Sequence, residues 1–264
     1  MSKRDSPGAA SRGMVDLPKH SAGKAGYGID EPRTIVELLI AGILAVVVGI
    51  FISAYTAPSR TADAALIGGS GVGFLILVVM AALYWSSRLG KSREMTKLVN
   101  SIPWGGEEVA LDLGCGRGLA AVMAAKKLET GYVVGADMWY KSRVSGNDPH
   151  SVLANAAEEK VEARVAPVKA SSVQLPFADG SFDVIVSGVA IHNLASRRHR
   201  DVLFAEMTRV LKAGGRVGIL DLGNGNEYSA LLQGLGMRDI EMHRLRFSSF
   251  PPFHVVLARK PYSE

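Results

Sequence analysis

The sequence predicts an α/β protein: a seven-stranded sheet with helices on both faces, preceded by two transmembrane helices. Three observations in the 264-residue chain carry this prediction. Two long apolar stretches come early, short strand-like runs alternate with helical stretches beyond residue 105, and a glycine-rich turn follows the first of those runs.

Residues 1–34 are rich in Gly, Ser, Lys and Arg without periodicity and read as a disordered cytoplasmic tail. Residues 35–55 and 64–85 then form a predicted transmembrane hairpin, because each is near the roughly 20 apolar residues that cross a hydrocarbon core. Their only ionisable group is Glu37, in the first turn, where it can sit at headgroup level. A cleaved signal peptide would place its apolar core nearer the start, and a soluble core helix would carry a polar stripe; neither pattern is present. Lys3, Arg4, Arg12, Lys19, Lys24 and Arg33 precede the spans, and Arg88, Lys91, Arg93 and Lys97 follow them. Only Arg60 lies in the connector, so the N-terminus and the following domain are both expected on the cytoplasmic side. Tyr84 and Trp85 provide an interfacial anchor. Small residues at Ala41, Ala45 and Gly49, and at Gly69 and Gly73, allow close helix packing within the hairpin or a homo-oligomer formed through it.

A linker, residues 86–104, follows, with a loose amphipathic helix over 86–100 that stops before Pro103. The domain spans 105–264. Strands are predicted at 109–113, 132–137, 163–168, 182–187 and 215–222, separated by helical stretches at 118–128, 151–160 and 197–211. That alternation gives a parallel sheet, and the runs 239–245 and 253–260 add an antiparallel hairpin at its end.

Composition narrows the function. A single cysteine, Cys115, excludes a disulfide framework within the chain, and no Cys/His cluster has metal-ligand spacing, so no metal is expected. The net charge of +5 comes largely from segments beside the spans, which favours contact with anionic headgroups over nucleic acid.

The chemistry is expected where the first strand ends, in VALDLGCGRG, residues 109–118. Gly114, Gly116 and Gly118 let backbone approach a ligand closely, and the helix beginning near Leu119 offers free N–H groups. A dinucleotide turn has its third glycine one position later, and Asp112 would repel a pyrophosphate. An ammonium-bearing ligand such as S-adenosylmethionine suits that carboxylate better.

DLGCGRG also resembles the first motif of class I S-adenosylmethionine-dependent methyltransferases. Three further pieces follow in the family's order: Asp137 closing VVGAD, LPFADGSFDVIVSGVAIHNL at 175–194, and MTRVLKAGGRVGILDL at 207–222. The resemblance is nearest to the branch holding ubiquinone, menaquinone and small-molecule methyltransferases. It implies a Rossmann-like sheet, S-adenosyl-L-methionine as cofactor, and the following roles. Asp137 would bind the ribose hydroxyls, Asp112, Gly114 and Gly116 the methionine end, and Met138 the adenine face. Gly118 completes the turn. The family's adenine-binding acid falls on Ser171, whose hydroxyl accepts without charge, with Ser172 as an alternative. Ser187 would lie where cofactor and acceptor meet. Cys115 needs no reactivity in this loop.

Methyl transfer depends chiefly on aligning nucleophile and methyl group, which alone lowers a barrier by roughly 7–11 kcal/mol. A base is useful for a hydroxyl or acidic carbon, and His192 is the candidate, set against a purely structural role in starting the next helix. The loops 139–150 and 246–253 are candidate walls of the acceptor pocket. Anchoring at the bilayer points to a hydrophobic or lipid-like acceptor. The alternative is a membrane-tethered S-adenosylmethionine-binding module without catalysis. A protein or nucleic-acid methyltransferase is disfavoured, because Ser187-Gly188-Val189-Ala190 stands where an Asn-Pro-Pro-Tyr type of signature would be.

Overall fold

A computed structural model describes residues 26–27, 32–55, 60–140, 146–194, 196–245 and 252–262. Most of the N-terminal tail, including Lys3, Arg4, Arg12, Lys19 and Lys24, lies outside the described residues. So do residues 141–145 and 246–251 of the two proposed pocket loops.

Two long helices open the described chain, α1 (Pro32–Tyr55) and α2 (Arg60–Trp85). At about 1.5 Å per residue both are long enough to cross a bilayer, and within them Arg33–Tyr55 and Leu66–Trp85 are apolar enough to do so. Their outward side chains are uncovered: Ile43, Val47 and Phe51 of α1 and Ile67, Phe74 and Leu75 of α2 are all exposed. A soluble core helix would bury such residues. The helices meet through small residues. A Cβ on Gly69 would lie 2.8 Å from both the Ala45 carbonyl oxygen and the Gly49 Cα, and one on Gly73 would strike Val46. The α1 side of this contact runs through Gly42, Ala45 and Gly49, whereas Ala41 faces outward.

The apolar helix does not stop at Trp85. Ser86–Gly90 continue it as one π turn into α3 (Lys91–Ser101), where the apolar period changes from all-round to one-sided. Met95, Leu98, Val99 and Ile102 recur at helical spacing and are buried. Pro103 closes the helix, and the Trp104 indole donates to the Val99 carbonyl at 2.8 Å.

The sheet contains β1 (Val109–Leu113), β2 (Tyr132–Asp137), β3 (Val165–Lys169), β4 (Phe182–Gly188), β5 (Leu211–Asp221), β6 (Arg238–Leu245) and β7 (Phe253–Arg259). Their order is β3-β2-β1-β4-β5-β7-β6, with β7 antiparallel to both neighbours. Helices α4 (Leu119–Ala125), α5 (Pro149–Glu158), α6 (Arg197–Val210) and α7 (Gly225–Gly234) cover its faces. The seven strands and the terminal hairpin agree with the sequence reading, while several edges differ. Residues 162–164 form a 3-10 turn instead of the start of β3, and β5 begins at Leu211 because the chain pairs with Phe182 as soon as α6 ends. Helix α7 was not anticipated; Asn224 caps it by accepting from Glu227 N at 3.4 Å, a Gly- and Asn-rich start that reads as a loop.

Alternation along β1 fixes the two cores. Ala110 packs with α3, α4 and α5, and Leu111 and Leu113 pack with α6 and α7. Period two then turns Asp112 toward the α4 side, placing a carboxylate in an apolar layer.

Candidate functional site

The turn after β1 is held open by its glycines. Gly114, Gly116 and Gly118 have φ of 73°, 54° and 83°, a region that residues with a Cβ disfavour. At Gly114 a side chain would also collide with Ala190, whereas at Gly116 the space beyond Cα is open until Asn147. Gly114 N and Cys115 N both donate to the Ala136 carbonyl, at 2.8 and 3.2 Å, which ties the turn to the end of β2. Gly118 sits at the N-cap of α4, packed against Val152.

Two carboxylates face one cavity. Asp112, 1% exposed, accepts from Ala121 N through Oδ2 at 2.8 Å, while its Oδ1 has no partner among the described residues. Burial pushes its carboxyl up to about 7, opposed by the Ala121 bond and assisted by the nearby charge of Asp137. A buried carboxylate with one orphaned oxygen fits an incoming ammonium group, so the methionine end of S-adenosylmethionine matches this position chemically. Asp137 accepts from Gly116 N at 2.9 Å and from Trp139 N at 2.6 Å, one bond on each oxygen. Each oxygen keeps acceptor capacity for a diol. Trp139, at φ 50°, donates its indole N–H to the Gly116 carbonyl at 2.9 Å and fixes the turn from the other side.

Asp112, Gly114, Gly116, Asp137, Met138 and Ser172 line this cavity together. Gly118, Ser171, Ser187 and His192 are not among its lining residues. Ser171 instead forms an isolated bridge with Gln174. Ser187 is buried with its hydroxyl donating to the Leu113 carbonyl at 2.8 Å, which braces β4 against β1. Cys115 is buried against Gly135, and desolvation first, then the charges of Asp112 and Asp137, hold its thiol well above the usual range.

His192 lies in a 3-10 turn after β4, between the lining residues Ile191 and Asn193. Its Nδ1 is 2.5 Å from Asp221 Oδ1, and its backbone N donates to Asp221 Oδ2 at 3.0 Å. Asp221 is fully buried and also accepts from Leu222 N at 2.6 Å. A carboxylate collecting backbone N–H donors is an acceptor, which makes Nδ1–H the donor in the contact between His192 and Asp221.

Other lining residues were not singled out by sequence reasoning. Tyr27 reaches the cavity from before α1, held by Gly26, whose N–H donates to Asn155 Oδ1 at 2.9 Å. Lys91 and Met95 enter from α3, and Asn147 and Tyr140 from the segment after β2. Asp221 was legible only as the end of a strand. The lining residues among them come near the glycine turn in space from elements that lie apart from it in sequence.

Comparison with known proteins now bears on this geometry. Residues 111–219 match the family described as "Methyltransferase domain". The matched stretch runs from β1 into β5 and takes in the glycine turn, Asp112 and Asp137. The domain is 31% identical over 131 residues to the 2-phytyl-1,4-beta-naphthoquinone methyltransferase of Arabidopsis thaliana, covering 48% of each chain. It is 38% identical over 112 residues to methyltransferase GfsG of Streptomyces halstedii, covering 42% of this chain and 37% of that one. The match thus spans about half or less of these relatives' length. Among solved structures, the [4+2]-cyclase SpnF superposes with a TM-score of 0.55 at 16% identity, over 65% of this chain and 82% of that one. That likeness concerns the fold of the methyltransferase domain, since a cyclase shares it.

Proposed function

We propose that this protein is a membrane-anchored methyltransferase that carries a methyl group from S-adenosylmethionine to a hydrophobic, membrane-resident acceptor. The observation that carries the proposal is the continuity of α2, the π turn and α3. A helix apolar enough to span a bilayer runs without a break into the helix whose Lys91 and Met95 line the same cavity as the glycine turn. One wall of the cavity is thereby covalently tied to the proposed membrane segment. The match to a naphthoquinone methyltransferase supports an acceptor of quinone-like character.

When bound, S-adenosylmethionine supplies a methyl group already activated on sulfonium. The chain's own residues bind, orient and exclude water. Asp112 would pair with the ammonium, Asp137 with the ribose hydroxyls, Gly114 and Gly116 with the backbone-facing edge, and Met138 and Ser172 with the adenine side. Met95, Val189, Ile191 and Leu194 give the other end an apolar lining that keeps water from the reacting carbon. His192, oriented by Asp221, would take a proton from the acceptor at Nε2, with Asp221 as positioning residue.

Feeding labelled methionine to cells with and without the gene tests the proposal. Label that depends on the gene is expected in the organic extract; gene-dependent label confined to water-soluble products would overturn the hydrophobic acceptor.

A further inference from the structure

Before α5 stands a buried polar atom that no described residue uses. Asn147 is 5% exposed and lines the cavity. Its amide orientation is set from outside, because Nδ2 donates to the Tyr140 carbonyl at 3.3 Å. That leaves Oδ1 buried without a partner among the described residues. It lies 3.9 Å from the point where a Cβ on Gly116 would stand, at the glycine whose side is otherwise open. An amide oxygen held away from water without a donor costs free energy, which a donor arriving with a ligand would relieve.

The local chemistry says which donor. Gly116 N is bonded to Asp137, so Asn147 Oδ1 faces the part of the cavity next to the acid proposed for the ribose. Asp137 spends one acceptor position of each oxygen on Gly116 N and Trp139 N. A vicinal diol brings two O–H donors. The ammonium already has its own orphaned acceptor in Asp112 Oδ1. We propose that Asn147 is a cofactor-binding residue whose Oδ1 accepts a hydrogen bond from a ribose hydroxyl of the methyl donor. This rests on the reading of the cavity as an S-adenosylmethionine site. The neighbours of Asn147 are fixed in place: Trp139 is tied to the turn, and Asp148 caps α5 by accepting from Ser151 N at 3.0 Å.

The test is a cycle of calorimetric titrations on the full-length, detergent-solubilised protein, using S-adenosylhomocysteine and its 2′-deoxy and 3′-deoxy analogues. Asn147→Ala is expected to weaken S-adenosylhomocysteine binding by about 3- to 10-fold, the range for one neutral hydrogen bond. It should weaken one deoxy analogue distinctly less, because the hydroxyl that Asn147 would hold is already gone. Asn147→Asp keeps an oxygen acceptor and is expected to bind better than Asn147→Ala. If Asn147→Ala is misfolded by its ligand-free thermal midpoint, Asn147→Ser carries the same cycle. Unchanged affinity for S-adenosylhomocysteine, or an equal loss for all three ligands, overturns the proposal. Wild-type protein that binds none of them overturns the cofactor site itself, a separate result.

Discussion

Asp112 shows how much one side chain can give up for a ligand. Its folded carboxyl, at about 7, lies above the ordinary carboxylate value, so between roughly pH 4 and 7 the folded state holds a proton that the unfolded state has lost. Stability from this group is therefore full below the lower value and declines as pH rises through 7. Asp112→Asn removes the penalty: the ligand-free variant should melt higher than wild type at pH 8 and alike at pH 4 in differential scanning calorimetry. The same variant should lose S-adenosylhomocysteine affinity by at least about tenfold, since a buried charge partner is worth more than a neutral bond. In the turn after β4, His192→Ala should lower kcat by about 100-fold with cofactor affinity unchanged. Asp221→Asn should lower it less while shifting the pH profile of kcat, which a merely structural role would not do. The two acids and the glycines were legible in the sequence because motif spacing fixes them within a few residues of one strand end. Asp221 and Asn147 were not, since their meaning comes from partners 29 residues away or from a partner they lack.

At the scale of elements, the strands were legible because period two and apolar runs are local, and their edges were less so because pairing decides them. Residue Leu211 joins β5 by facing Phe182, and no local pattern announces it. The linker helix was read as an amphipathic helix between membrane and domain, and Ser86–Gly90 join it to α2 without a break. This continuity predicts a phase effect. One alanine inserted within 86–90 would rotate α2 against α3 by about 100°. Turnover of an acceptor embedded in vesicles should fall several-fold, while turnover of the same acceptor in detergent micelles stays near wild type; equal effects in both would argue against a continuous lever.

For the whole molecule, the count of Lys and Arg near the spans sets the expected topology, with Arg60 on the far side and Arg93 on the domain side. Single cysteines at these exposed positions test it. Arg60→Cys should react with a membrane-impermeant maleimide in intact cells, and Arg93→Cys only after lysis; the reverse pattern would invert the orientation. The native thiol will not confuse the readout. Cys115 sits 6% exposed within the glycine turn, in the space that Gly135 leaves by having no side chain, and burial first, then two carboxylates, disfavour its thiolate. Oxidants and alkylating agents act on thiolates they can reach, and this one is both hidden and protonated. The turn that would grip the methyl donor is therefore shielded from oxidative damage at its only sulfur, and its grip should survive a redox stress that disables enzymes with open cysteines.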